Sequence, residues 1–200
     1  MSNTVITISR QYGSGGRELS EILAKKLGVK LYDRQIIHMA AAMLGIGDLT
    51  DESLRELENK VLPLSSAFMP FYSFGSHAGP NVNTELFLAE SKVIHQLVND
   101  GPCVILGRCA DYILSEQENH YSFFIYADDD FRQNRAKDHY GNNTLEELDK
   151  EDKNRKRYYA YYTGQTWGEA QNYDLMINVS NIPLEKAADL IIEYIKLQQK

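Results

Sequence analysis

The sequence predicts an α/β fold in which a five-stranded, mostly parallel sheet carries helices on both faces. Short β-branched or apolar runs alternate with helical periods along most of the chain, and a glycine cluster follows the first run. Strands that alternate with helices pair in parallel, because each helix returns the chain to the same end of the sheet. The 200 residues, 43% of them hydrophobic, suffice for one such domain.

Five apolar runs have the length of buried strands. They are predicted as strands at residues 5–9, 29–32, 103–106, 121–126 and 175–179. Apolar spacings of three and four residues predict helices at 17–27, 33–44, 50–61, 84–99, 107–114, from 128 onward, 144–162 and 184–197. Gly28 is the predicted stop of the first helix. The buried face of the second helix is predicted to comprise Ile36, Ile37, Ala40, Met43 and Leu44.

The segment 62–83 has no clear period and contains three prolines, two glycines and four aromatic residues. Such a composition predicts a long loop, and long loops inside compact domains commonly carry function. Three roles stay open for it: a lid, a substrate-binding insertion, or an apolar arm. The arm would pack on the body of the protein or on the second subunit of a homodimer.

Composition excludes several classes of function. A net charge of −7 and a pI of about 5.3 argue against a nucleic-acid partner, since non-specific binders carry a basic field. No apolar run reaches the ~18 residues of a membrane span, and the N-terminus lacks a secretory pattern, so a cytoplasmic protein without a membrane partner is expected. The two cysteines are expected to be reduced, and the five histidines show no metal-ligand spacing.

The stretch VITISRQYGSGGRE, residues 5–18, runs from a strand through a glycine cluster into a helix. Backbone N–H groups and the helix dipole make such a turn an anion site. Its backbone is supplied by Gly13, Ser14, Gly15 and Gly16. The usual phosphate loop reads Gly, four residues, Gly, Lys, then Ser or Thr. Here Arg10 stands at the first glycine position and Gly16 at the lysine position.

Two arginines flank this turn and are expected to replace the charge of the lysine. Arg10 and Arg17 are permanently charged, and a guanidinium grips phosphate oxygens with two hydrogen bonds. Glu18 is either a direct magnesium ligand or a charge that repels phosphate. A tight strand-to-helix turn that binds nothing is the alternative to all of these roles.

Six segments together resemble the cytidylate kinase-like family of P-loop nucleoside monophosphate kinases. They are VITISRQYGSGGREL, KLYDRQII, VILGRCADYIL, FIYADDDFRQNRAKD, DKEDKNRKRYYAYYTG and NYDLMINVS. The resemblance covers most of the chain and is weakest over about 46–85. It implies a single domain over residues 1–200, built as a three-layer P-loop NTPase-type sandwich. It also implies a substrate-binding, variable insertion at about 46–85 and a helical lid at about 131–167.

The same resemblance implies an enzyme that uses ATP and Mg²⁺ and transfers the γ-phosphoryl group to a nucleotide, CMP or dCMP. Acceptor binding then falls on Asp33, Arg34 and Arg108. The expected catalytic residues are Arg17, Arg132, Arg135, Asp152 and Arg155, and the donor site comprises residues 10 and 13–18. The tyrosines at 158, 159, 161 and 162 would line an adenine site or form a packed stripe under the lid.

Two departures from the family pattern leave the substrate open. The phosphate-loop lysine is absent, and Leu106 and Cys109 stand where cytidylate kinases have aspartates on either side of the Gly-Arg pair. A nucleotide-binding sensor or interaction protein that has lost turnover is therefore one alternative. A kinase for another small acceptor is the second.

Overall fold

The computed structural model describes residues 4–46, 50, 82–139 and 143–199. Its strands form one sheet with the order β2-β3-β1-β4-β5, and every neighbouring pair is parallel. The strands are β1 Val5–Arg10, β2 Lys30–Tyr32, β3 Cys103–Leu106, β4 His120–Tyr126 and β5 Leu175–Asn178. The predicted five-stranded parallel sheet is confirmed.

Seven helices lie in the described part of the chain. They are α1 Gly16–Leu27, α2 Gln35–Met43, α3 Val82–Asn99, α4 Ala110–Ile113, α5 Asp129–His139, α6 Leu145–Thr163 and α7 Leu184–Gln198. As predicted, α1 ends at Gly28, whose φ of 67° is left-handed. A capping box fixes the start of α6, since Thr144 and Glu147 bond to each other's backbone N–H.

Alternate residues of the strands pack into two apolar layers, one on each face of the sheet. Ile6 and Ile8 of β1 join α1 and α7 in one core, whereas Val5 joins α2 and α3 in the other. Successive side chains of a strand point to opposite faces, so the central strand serves both layers at once. The result is a sheet between two helical layers, the predicted three-layer sandwich.

Three details of the predicted elements differ from the structure. The side chains of Met43 and Leu44 are 46% and 37% exposed, and Ala41 is buried instead, because α2 ends at Met43. The short helix predicted from residue 107 begins at Ala110, after three residues with positive φ. Residues 82–83, predicted as loop, belong to α3.

Two predictions cannot be compared with the described residues. The helix predicted over 50–61 falls outside them except for Thr50, and the loop predicted over 62–83 falls outside them as far as residue 81. In the described residues, no helix is both long and apolar enough to cross a membrane.

The sheet topology places the candidate site. β1 has β3 on one side and β4 on the other, and the loops that follow β1, β2 and β3 open at the same edge. Ligands of open parallel sheets bind at the carboxyl ends of strands, where the strand order reverses. The glycine-rich turn that follows β1 lies at this point.

Candidate functional site

A cavity of about 540 Å³ lies at the carboxyl ends of β1 and β3, with α6 as one wall. The basic residues that line it are Arg10, Arg17, Arg34, Arg108, Lys150 and Arg155. The carboxylates in its lining, within the described residues, are Asp33, Glu147 and Glu151. Cations thus outnumber carboxylates here although the whole chain carries a net charge of −7. The excess makes the cavity suited to a polyanion.

The glycine-rich turn forms the floor of this cavity. Gly13 and Gly15 both have a φ of 82°, which other residues adopt only with strain, and α1 begins at Gly16. All three glycines line the cavity, next to the N–H groups of the first turn of α1. Ser14 is fully buried, and its hydroxyl donates to the carbonyl of Gln11 at 2.9 Å, so its side chain stabilises the turn from behind.

Arg10 ends β1 and extends its side chain along the cavity. Burial, followed by the nearby positive charge of Arg155, lowers the pKa of Arg10 to about 9. Arg108 and Arg17 act in the same direction, and only Asp33 opposes them. A bound anion would relieve this repulsion and favour the charged guanidinium.

Arg17 and Asp33 connect the glycine-rich turn with the loop after β2. Nε of Arg17 lies 3.8 Å from Oδ2 of Asp33, and Arg17 also pairs with Glu21 at 3.4 Å. The side chain of Arg17 is half exposed, so these pairs hold it only weakly and leave it able to reorient toward a ligand. Arg34, next to Asp33, lines the cavity as well.

Arg108 reaches the cavity from an unusual backbone. Gly107, Arg108 and Cys109 have φ values of 73°, 63° and 51° in succession. Left-handed conformations cost non-glycine residues about 1–2 kcal/mol each, and such strain is concentrated at functional sites. Behind Arg108 lies Glu90 of α3, whose carboxylate accepts from Arg108 at 3.3 Å and from the hydroxyl of Tyr158 at 3.0 Å.

Glu90 is 1% exposed, and its environment acts on its protonation in two directions. Burial raises the pKa of Glu90 to about 8, and the hydrogen bond from Tyr158 opposes the rise. The guanidinium of Arg108, in contact at 3.3 Å, also favours the ionised form. The state of Glu90 decides how much of the positive charge of Arg108 remains for a ligand.

Replacing Glu90 with glutamine should change how stability depends on pH. With a pKa of about 8 in the folded protein and 4.5 as its ordinary value, the folded state keeps a proton that the unfolded state releases. Wild-type stability should therefore fall, relative to Glu90→Gln, as pH rises from about 5 to 8, by at most about 1.4 kcal/mol per pH unit. Urea titrations of both proteins across that range measure the difference. If the free energy of unfolding depends on pH in the same way in both proteins, Glu90 stays ionised beside Arg108.

A closed ring of hydrogen bonds fastens the glycine-rich turn to α5 and α6. The N–H of Tyr12 donates to Oδ1 of Asp152 at 2.7 Å, and the carbonyl of Tyr12 accepts from Nε of Arg132 at 2.9 Å. Arg132 completes the ring by donating to Oδ2 of Asp152 at 2.8 Å. Both side chains are buried, at 2% and 5% exposure.

Five of the predicted site residues lie outside the lining of the cavity: Ser14, Glu18, Arg132, Arg135 and Asp152. Arg132 and Asp152 belong to the ring, and Arg132 also pairs with Asp149 at 3.1 Å. Arg135 forms an ion pair with Glu18, which joins α5 to the first turn of α1. Because these side chains are engaged with one another, the geometry favours a role in shaping the loop over direct contact with a phosphoryl group.

Arg155 is the residue of the predicted Asp-x-x-Arg pair that faces the cavity. It donates to the carbonyl of Arg10 at 2.8 Å and lies over the ring of Tyr12, 5.1 Å from its centroid. Its guanidinium is also 3.6 Å from Asp152. Asp152 thus holds the glycine-rich turn, whereas Arg155 places a positive charge in the lining of the cavity.

The tyrosines of α6 serve mainly as packing. Tyr162 stacks on Phe87 at 4.1 Å, and Tyr159 is buried with its hydroxyl on Asp111 at 2.7 Å. Tyr158 and Tyr159 also line the cavity, whereas Tyr161 is 49% exposed. This arrangement fits the packed stripe better than an adenine site.

Several residues that line the cavity were not predicted from the sequence. Those on α6 are Glu147, Lys150, Glu151 and Asn154. With Arg155 and Tyr158 they recur at helical spacing, so a polar stripe on one helix face was the signal that could have revealed them. No sequence pattern could have identified Glu90 as a neighbour of the site, because only the fold brings α3 against Arg108.

The sequence model of the cytidylate kinase-like family matches residues 5–181. The chain belongs to the cytidylate kinase-like family. A comparison with curated proteins gives no match. Among solved structures, an uncharacterized protein from Eubacterium ventriosum ATCC 27560 is similar at 26% identity and a TM-score of 0.69, over 96% of this chain and 98% of that one.

Shikimate kinases share the fold of this cytidylate kinase-like protein. The enzyme from Acinetobacter baumannii, solved with shikimate, has 15% identity and a TM-score of 0.56, over 98% of this chain and 94% of that one. The enzyme from Aquifex aeolicus has 13% identity and a TM-score of 0.51, over 98% of both chains. The fold is thus that of P-loop kinases, as predicted.

Proposed function

We propose that this protein is an ATP-dependent phosphotransferase that acts on a small anionic acceptor. The observation that carries the proposal is the arginine-rich cavity built on a glycine-rich turn at the start of α1. Transfer of a γ-phosphoryl group concentrates negative charge in one cleft, and the protein mainly has to position the partners and neutralise that charge. Membership of the cytidylate kinase-like family supports the same activity.

The donor phosphates would bind over the glycine-rich turn. Backbone N–H groups of residues 13–18 would hold them, with Arg10 and Arg17 supplying the charge. Lys150 and Arg155 face the same space from α6, which makes up about the C-terminal half of the proposed lid over residues 131–167. Arg132 and Asp152 would then act as positioning residues because they fasten the turn to α5 and α6, and Arg135 would do so because it joins α5 to the first turn of α1.

The acceptor would bind at the other end of the cavity, with its anionic group on Arg34 and Arg108. An acceptor oxygen attacks the γ-phosphorus, the bond to the bridging oxygen breaks, and ADP leaves with the electron pair. If the nucleophile is a phosphate oxygen, as in CMP or dCMP, no proton has to be removed. The guanidinium groups of Arg34 and Arg108 can hold the phosphate of such an acceptor with two hydrogen bonds each.

A hydroxylated anion outside the nucleotides is the second candidate acceptor. Asp33 places a carboxylate in the cavity lining, 3.8 Å from Arg17. A carboxylate repels a phosphate nucleophile, whereas it can orient a hydroxyl group and accept its proton. Leu106 and Cys109, in place of the two aspartates, weaken the case for cytosine in particular.

Magnesium would enter with the nucleoside triphosphate. In the described residues, no group of three or more His, Cys, Asp and Glu side chains could hold a metal by itself. Mg²⁺ commonly takes one or two carboxylates together with phosphate oxygens, and Asp33, Glu147 and Glu151 in the lining fit that pattern. When bound, the ion would neutralise charge on the transferring group. Glu18 is engaged with Arg135 and lies outside the lining.

A panel of acceptors with ATP and magnesium tests the activity. Purified protein is incubated with each nucleoside monophosphate and with small hydroxylated carboxylates and phosphates, and ADP formation is measured. Stimulation by CMP or dCMP alone would support the nucleotide kinase, and stimulation by a hydroxyl compound alone would support the second candidate. ATP binding without stimulation by any acceptor would favour the nucleotide-binding sensor and contradict the enzyme.

A further inference from the structure

We propose that the phosphate loop has exchanged the places of its cation and one glycine, so that the cation is Arg10 and the glycine is Gly16. Arg10 supplies the cation that such loops ordinarily take from the lysine at position 16, and Gly16 is glycine because the stem of Arg10 fills the space of that lysine. The exchange rests on the proposed function, since it assigns the donor phosphates to Arg10. It also predicts a steric dependence that can be measured without any substrate.

The steric half of the exchange is visible at Gly16. A Cβ added there would lie 2.5 Å from Cβ of Arg10 and 2.9 Å from its Cγ, distances that real side chains do not reach. The third-nearest atom, Cβ of Ile125, is at 3.5 Å, which is an ordinary contact. Gly16 is the first residue of α1 and has no positive φ, so its backbone would accept another residue. The Arg10 stem alone therefore excludes a side chain at position 16.

The other end of the Arg10 side chain meets a second glycine. A Cβ added at Gly107 would lie 2.5 Å from Nη1 of Arg10. The side chain thus runs from the start of α1 to the loop after β3, and a glycine leaves room for it at each end. Gly107 directly precedes Arg108, so the Arg10 guanidinium lies against the loop that carries the proposed acceptor arginine. A cation at this place can contact the phosphoryl group that passes from donor to acceptor.

The charge of Arg10 is not neutralised by the described protein. Arg108, Arg132 and Arg155 each have a carboxylate within 4.0 Å. Within the described part of the chain, no carboxylate lies that close to the guanidinium of Arg10. Burial, and then the neighbouring guanidinium groups, lower the pKa of Arg10, and Asp33 opposes them without reaching contact distance. A half-buried cation among other cations is the environment of an anion-binding group.

Binding of Mg²⁺·ATP to four proteins tests the exchange. Arg10→Gly should weaken binding about 10- to 100-fold, the loss of one charge-assisted phosphate contact, and Gly16→Lys alone should also weaken it because the lysine displaces Arg10. The double variant Arg10→Gly/Gly16→Lys should bind within about tenfold of wild type. Lys156→Ala, which removes an exposed charge from α6, should bind like wild type. A double variant weaker than both single variants would overturn the exchange, as would wild-type affinity in Arg10→Gly.

Thermal unfolding of alanine variants tests the steric half without a ligand. Gly16→Ala should lower Tm in the wild-type background and leave it unchanged in the Arg10→Gly background. Equal losses in both backgrounds would overturn the steric explanation. The two experiments separate the proposals: absence of ATP binding by wild type would contradict the proposed function, whereas the Tm comparison judges the Arg10–Gly16 contact in either case.

Discussion

Replacing Arg132 with leucine is expected to lower the free energy of unfolding by about 3–5 kcal/mol. The substitution leaves the buried carboxylate of Asp152 without its 2.8 Å partner and the carbonyl of Tyr12 without its donor. Removing one partner of a buried ion pair costs far more than the pair contributes, because the remaining charge stays desolvated. Denaturant unfolding followed by circular dichroism measures the loss.

Lys137→Leu is the matched control on the same helix. Lys137 is exposed, and its only hydrogen bond within the described residues is to Asn134 at 3.3 Å, so its replacement should change stability by less than about 0.5 kcal/mol. Arg132→Lys keeps the charge but cannot form the same set of directed bonds, and its stability should lie between wild type and Arg132→Leu. Near-equal stability of Arg132→Leu and Lys137→Leu would contradict the role assigned to the ring.

Replacing Arg108 with alanine is expected to weaken acceptor binding and to leave donor binding almost unchanged. Loss of a bidentate contact with an anionic acceptor should raise its KM about 10- to 100-fold, whereas the Kd for Mg²⁺·ATP should stay within about twofold. Glu90 would lose its guanidinium neighbour, and burial would then keep it protonated and bonded to Tyr158. The fold should therefore tolerate the change.

Arg17→Ala provides the converse variant. Arg17 stands at the start of α1, on the donor side, so its loss should weaken Mg²⁺·ATP binding more than acceptor binding. The measurement is the pair of constants for each variant, with the acceptor identified by the panel. An equal loss of donor and acceptor affinity in Arg108→Ala would contradict the assignment of Arg108 to the acceptor.

The fold could be predicted from the sequence because its signals are local. Buried strands such as Cys103–Leu106 and helix stops such as Gly28 depend on neighbouring residues alone. Their alternation then fixes a parallel sheet, and the sheet brings all loops that follow strands to one edge. The juxtaposition of Arg10, Arg34 and Arg108 in one cavity follows from the same rule.

The orientation of helix-borne residues could not be predicted in this way. Arg132 and Arg135 lie one turn apart on α5, and which side of α5 faces the cavity depends on its packing against the glycine-rich turn. Glu90 and Arg108 form a hydrogen bond although they are 18 residues apart in the chain. The Arg10–Gly16 contact was hidden for another reason. The sequence indicates that arginines replace the charge of the lysine, but only the folded structure shows that the stem of Arg10 fills the space beside position 16.

This cavity is proposed to bind a nucleoside triphosphate through arginines in place of the phosphate-loop lysine. Calorimetric titration of the wild-type protein with Mg²⁺·ATP, repeated with inorganic tripolyphosphate as a competitor, tests this proposal most directly. We expect one ATP to bind per chain and tripolyphosphate to displace it, because the phosphates supply most of the contacts. Absence of ATP binding, or ATP binding that tripolyphosphate does not affect, would contradict the proposal.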